Sequence, residues 1–166
     1  MSMRYGRAVR LAVGAAALAA WLPLTPPPAL AQTKQPAAKA TKPAAKVHKV
    51  AIQVSDNDKN VMNRALNNTR NLVEFYKAKG ETLVVEIVTF HDGLHMLRSE
   101  SPVKDRIAVM SLENPNIKFI ACANTQTNQS KAEGKPVTLL SEATVMPSGI
   151  VRIIELQSEG YAYIKP

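Results

Sequence analysis

The stretch KVAIQVSDNDKNVMNRALNNTRNLVEFYKAKG (49–80) changes its period halfway along. KVAIQV (49–54) is a short apolar run bounded by SDND (55–58), the pattern of a buried strand. Beyond Asp58, the residues Met62, Leu66, Thr69, Val73 and Tyr76 recur at spacings of four, three, four and three, which is one face of a helix. Asp56 or Asp58 can cap that helix, and Gly80 can end it. The next segment, TLVVEIVTF (82–90), is dense in β-branched residues and reads as a second strand.

The alternation continues to the end of the chain. HDGL (91–94) turns into a short helical piece, and VKDRIAVMSLEN (103–114) reads as a helix with Val103, Ile107 and Met110 inward. IKFIA (117–121) is the third strand, and NTQTNQSKAEG (124–134) a short polar helix. ATVM (143–146) is the fourth strand. Pro147, Ser148 and Gly149 begin a helix carrying Ile150, Ile153, Ile154 and Gln157, closed at Gly160. YAYI (161–164) alternates with period two and is the fifth strand. Strands that alternate with helices need crossovers. They therefore form a mostly parallel sheet covered on both faces. The expectation is an α/β, three-layer, flavodoxin-like sandwich of five strands in the order 2-1-3-4-5.

The first residues do not belong to that fold. Arg4, Arg7 and Arg10 precede an uncharged apolar stretch, LAVGAAALAAWLPL (11–24), and Ala29-Leu30-Ala31 is a small-x-small cleavage site. Residues 1–31 have the layout of a secretory signal peptide, with Gln32 as the first mature residue and the periplasm as destination. The apolar stretch falls short of the roughly 20 residues that a membrane-spanning helix needs, so no span is expected in the mature chain. Residues 32–47 are rich in Ala, Lys and Pro with little to bury, and read as a disordered linker. The domain proper is 48–166, the usual size of one folding unit.

The formal charge of +8 invites a nucleic-acid reading, and its distribution removes it. The signal arginines together with Lys34, Lys39, Lys42, Lys46 and Lys49 account for the whole excess. Residues 50–166 hold 13 basic against 13 acidic residues. The charge lies on a tail and is not patterned on a folded face, so no nucleic-acid partner is expected.

In a parallel sheet every strand-to-helix turn lies at one edge, where ligands of such folds bind. Those turns are Ser55–Asp58, His91–Gly93, Cys122–Thr125 and Pro147–Gly149. Cys122 is the only cysteine in the chain, so it has no internal disulfide partner. It ends the third strand just before a helix, and helix N-termini favour thiolate over thiol. It is thus a candidate reactive group. Cysteine is also among the residues most often buried as plain packing. The neighbouring candidates for ligand contact are Asp56, Asn57, His91, Asn124, Thr125 and Ser148. Asp92 suits a helix cap better than an acid catalyst. Asn63, Asn67, Asn68 and Asn71 stud the first helix and suit solvent or a subunit contact. His91 and His95 are four apart, but Gly93 between them favours a turn over a helix, and no metal is expected. SDND lacks the glycines of a phosphate loop, so no nucleotide or flavin cofactor is expected either.

KVAIQVSDND (49–58), ALNNTRNL (65–72), NIKFIACANT (116–125) and MPSGIVRIIELQSEGYAYIKP (146–166) carry a resemblance. The chain resembles the DsrE/DsrF-like proteins, and within them the small branch that ends in Gly-Tyr-Ala-Tyr-Ile-Lys-Pro. The resemblance spans residues 48–166. It implies the parallel sandwich already derived, and a homo-oligomer, a trimer or hexamer. It also implies a sulfur-relay role, in which a cysteine after a central strand carries sulfur as a persulfide between a donor and an acceptor protein. Cys122 is the matching position. The second turn departs from the family, reading FHDGLHML (90–97) where Gly-Pro-Gly-like residues are expected, and export departs from the cytoplasmic setting of the relay proteins. Two functions follow as expectations: a periplasmic sulfur carrier, or a non-catalytic oligomeric binding protein with a structural cysteine.

Overall fold

The computed structural model describes residues 46–166; the signal-peptide reading and nearly all of the linker reading lie outside the described residues. Strand β1 (Val47–Val54) runs into helix α1 (Lys59–Ala78), and β2 (Thr82–Thr89) into a 3-10 turn (His91–Leu97) and α2 (Lys104–Glu113). β3 (Ile117–Cys122) leads to α3 (Ala123–Glu133), β4 (Ala143–Met146) to α4 (Gly149–Ser158), and β5 (Ala162–Ile164) ends the fold. All four strand pairings are parallel. The α/β class and the five-stranded parallel sheet are as the alternation dictates.

The strand order is a correction. It is β4-β3-β2-β1-β5, not 2-1-3-4-5. β2 lies at the centre, between β1 and β3. The reason is visible in its composition: Val85 through Thr89 are all buried, a near-continuous run suited to a strand covered on both faces. β1 opens instead with Val47, His48 and Lys49, none of them buried. The chain steps outward from β1 to β4, then α4 carries it back across the opposite face to the free edge of β1. The order therefore reverses between β1 and β5, and Cys122, on β3, is not at the reversal.

Two cores flank the sheet. The larger packs Met62, Ala65 and Leu66 of α1 and Ile107 and Met110 of α2 against Ile52, Val85, Ile87 and Phe119. Each fully buried Leu, Ile or Met here contributes about 1.5–3 kcal/mol. The smaller core, on the face covered by α4, joins Ala51, Val88, Phe90, Ile120, Cys122, Ile153 and Leu156. The inward face of α4 is the second correction. Ile153 and Leu156 are buried, whereas Ile150 and Ile154 are 53% and 59% exposed. Arg152 shares the inward stripe with Ile153, because it reaches a buried carboxylate on β2.

Asp58 is the residue that caps α1; its carboxylate accepts from the Asn60 amide at 2.6 Å. Gly80 takes φ 66 just past the helix end, the left-handed position glycine tolerates. Asn63 and Asn67 accept hydrogen bonds from Arg106 of α2 and tie the two helices together. Among the described residues no helix is long and apolar enough to cross a membrane.

Candidate functional site

The sulfur of Cys122 lies where two helices begin. Cys122 is the last residue of β3 and the N-cap of α3. In the sheet it is opposite Met146, the last residue of β4. Three residues after Met146, Gly149 opens α4. The two turns are bonded to each other, for the Asn124 amide donates to the Pro147 carbonyl at 3.3 Å. Two N-termini, each with amides unsatisfied by its own helix, thus meet at one thiol.

Glycine at 149 is what lets α4 approach. A Cβ there would lie 2.8 Å from Cδ1 of Phe90, so the backbone of the helix start rests directly on the aromatic ring. Ser148 caps the same helix, its hydroxyl accepting from the Val151 amide at 3.5 Å. It starts α4 two residues after β4 ends at Met146.

Thr125 joins a third turn to the site. Its hydroxyl oxygen accepts from the His91 amide at 3.1 Å. The His91 carbonyl accepts from the Gln129 side chain at 3.1 Å. His91 holds φ 49, the one non-glycine residue with positive φ among the described residues. That conformation costs on the order of 1 kcal/mol, and the paired bonds to α3 offset it. The imidazole itself is exposed.

Burial, the largest influence on the Cys122 thiol, pushes its pKa up. The Thr125 hydroxyl and the amides of Gly149, Thr125 and Asn124 outweigh it, so the pKa stands below the ordinary cysteine value. None of these donors closes a full capping bond to the neutral thiol. Their effect is that of oriented dipoles favouring the anion. The side chain is 5% exposed.

The structure brings together Cys122, Asn124, Thr125, Ser148 and the backbone of His91. It does not bring Asp56 and Asn57 to them. Both are exposed after β1, and β2 stands between β1 and β3. Asp56 accepts instead from the Ser55 hydroxyl at 3.2 Å. Asn124 contributes its backbone, while its side chain is exposed. His95 approaches Glu100 at 4.0 Å. Among the described residues no group of three or more His, Cys, Asp and Glu side chains could hold a metal ion. Sequence reading missed Phe90 and Gly149. Phe90 reaches Cys122 through the pairing of β2 with β3, which the expected order 2-1-3-4-5 lacks. Gly149 comes through the pairing of β3 with β4, which that order contains, but no spacing shows its amide turned to the sulfur.

No family model matches the chain, and no curated protein does. Its fold is similar to that of a solved protein of unknown function, MTH1491 from Methanobacterium thermoautotrophicum. The identity is 28% and the TM-score 0.61, over 72% of this chain and 99% of that one. The neighbour carries the same class of fold and no assigned chemistry.

Proposed function

We propose that Cys122 is a reactive thiol that carries sulfur in a DsrE-like, exported protein. One observation supports this most: a thiol in an apolar core has its pKa lowered, because two helix N-termini and a hydroxyl converge on it. In the transfer step the Cys122 thiolate attacks the outer sulfur of a donor persulfide or polysulfide. The Sγ–S bond forms as the donor's S–S bond breaks, and the donor leaves as a thiolate with the electron pair. The reverse step on an acceptor thiolate needs no added oxidant or reductant. Thr125 and the amides of Asn124 and Gly149 would stabilise the anion at both stages.

The test is to offer polysulfide to the protein and to weigh it. Wild type should gain one sulfur atom on Cys122, reversed by a reducing thiol. Absence of any adduct on native protein would defeat the carrier reading.

A second reading has its own observation. Cys122 is 5% exposed and packs with Val88, Phe90, Ile120, Ile153 and Leu156, as a structural cysteine does. The protein would then be a non-catalytic binding or assembly module. A native thiol unreactive until denaturation would favour it.

Export and self-association belong to both readings. The signal-peptide layout of residues 1–31 supports a periplasmic protein whose mature sequence begins at Gln32, to be checked by N-terminal sequencing. Half-exposed Ile150, Val151 and Ile154 on α4 support a homo-oligomer, to be checked by light scattering at micromolar concentration.

A further inference from the structure

Glu86 is a carboxylate in the middle of the central strand, and it is 2% exposed. A buried charge is costly unless it is paired and hydrogen-bonded. Arg152 of α4 supplies the pairing in two-pronged form, Nε to Oε2 at 2.9 Å and Nη2 to Oε1 at 2.8 Å. Its remaining Nη1 reaches Glu155 and Glu159, each at 3.2 Å. The fork is rigid and planar, so it fixes orientation as well as distance.

The place of this pair matters more than its strength. Arg152 is in the first turn of α4, three residues beyond Gly149. Apart from Gly149 itself, α4 buries only Ile153 and Leu156. Apolar contacts alone leave so short a helix free to slide, since they carry little direction. Phe90, the extended residue just past the end of β2, lies four residues beyond Glu86 and hence on the same face of the sheet. The first turn of α4 is thus held to the central strand at two points: Gly149 rests on Phe90, and Arg152 is locked to Glu86. Gly149 is also the residue that follows the turn from Met146, the register partner of Cys122.

We infer that the Glu86–Arg152 ion pair is a positioning device for Cys122: it clamps the first turn of α4 to β2 and so holds the Gly149 amide at the sulfur. The inference rests on the reactive-thiol reading of Cys122. Neither Glu86 nor Arg152 hydrogen-bonds the sulfur, and both act through the helix.

The experiment is the pH profile of iodoacetamide alkylation of the purified protein, whose inflection reports the thiol pKa. Glu86→Gln keeps the shape of the side chain and removes its charge. Arg152→Lys keeps the charge and removes the fork. The inflection should move up by about half to one pH unit in Glu86→Gln, a roughly three- to tenfold loss of thiolate at neutral pH. Arg152→Lys should shift it in the same direction by less. Circular dichroism establishes that each chain is folded. An unmoved inflection in folded Glu86→Gln overturns the inference; if that variant does not fold, Arg152→Lys decides by the same criterion. Sulfur uptake measured alongside separates the two claims. A wild type that takes up no sulfur defeats the carrier, whereas uptake with an unmoved inflection defeats the clamp alone.

Discussion

The backbone amide of His91 donates to the hydroxyl oxygen of Thr125 at 3.1 Å, and so fastens the turn after the central strand to the first turn of α3. A threonine hydroxyl has one proton and two lone pairs. With His91 engaging a lone pair, the proton is free to face the Cys122 sulfur, where it favours the thiolate. Thr125→Val keeps the branched shape and removes both interactions. The inflection of thiol alkylation should rise, with roughly a tenfold drop in thiolate at neutral pH for each unit of rise. Thr125→Ser should restore most of it. Equal inflections in wild type and Thr125→Val would show that the hydroxyl does not act on the sulfur.

The same lowered pKa links stability to pH. A group whose pKa is depressed by folding stabilises the protein fully above its unfolded pKa, and the contribution is lost as pH falls through the folded pKa. For Cys122 the window lies between its depressed folded value and the ordinary cysteine range of about 8.5–9. The urea midpoint of wild type should therefore rise relative to that of Cys122→Ser as pH climbs through that window. A constant difference between the two chains from neutral to alkaline pH would contradict a depressed thiol pKa.

Gly93 makes a sharper structural prediction. Its amide donates to the Ser55 carbonyl at 3.0 Å, and a Cβ at this position would overlap the carbonyl of Val54. The 3-10 turn after β2 can lie against the end of β1 only because there is no side chain there. Gly93→Ala should destabilise by about 1–3 kcal/mol, the usual range for forced overlap with backbone. For a domain of this size that is a fall in Tm of about 4 °C for each kcal/mol. Gly134→Ala is the contrast. That residue has φ 65 but open space around its Cβ, so only the backbone conformation resists, at about 1 kcal/mol. Calorimetry on the two variants should rank Gly93→Ala as the more damaging; the reverse order would mean that the turn shifts freely.

The elements were legible because their periods are clean. Met62, Leu66 and Thr69 recur at helical spacing, and all three are buried on α1. The neighbourhood of strands was legible only in part: β1 beside β2 and β3 beside β4 are as expected, while β2 beside β3 and β5 beside β1 are not, since adjacency is decided by crossovers rather than by any local pattern. That is why Asp56 and Asn57 were expected beside Cys122 and lie beyond β2 instead. The inward stripe of α4 was misread for a related reason. Ile150 and Ile154 are more apolar than Arg152, yet Arg152 turns inward to Glu86, whose place in the sequence is 66 residues earlier. A long-range ion pair overrides hydropathy without leaving a periodic trace. Cys122 itself was legible as the end of a strand before a helix. The β4–α4 turn beside it was legible too, since the expected order sets β4 next to β3; that the Gly149 amide of that turn faces the sulfur was not, because no spacing encodes it.

Two substitutions at Cys122 separate a polar cradle from plain packing. The residues around the sulfur include donors, namely the Thr125 hydroxyl and the amides of Asn124, Thr125 and Gly149. They also include apolar contacts, among them Phe90, Ile120 and Leu156. Cys122→Ser offers an acceptor to the donors, while Cys122→Ala removes the sulfur and leaves only an apolar methyl. If the donors are aimed at position 122, serine finds partners and its hydroxyl is not left unsatisfied. The Ser variant should then melt at or above the Ala variant, a difference of about 1 kcal/mol. If the site is ordinary core, serine buries an unpaired hydroxyl and costs about 1–3 kcal/mol more than alanine, so the order reverses. Thermal melts of the two variants give the order directly. Mass spectrometry after polysulfide treatment gives the chemistry, which should appear in wild type and in neither variant. The cradle with uptake supports the carrier. The reversed order, in a wild type that takes up no sulfur, leaves Cys122 as a packing residue and ends that proposal.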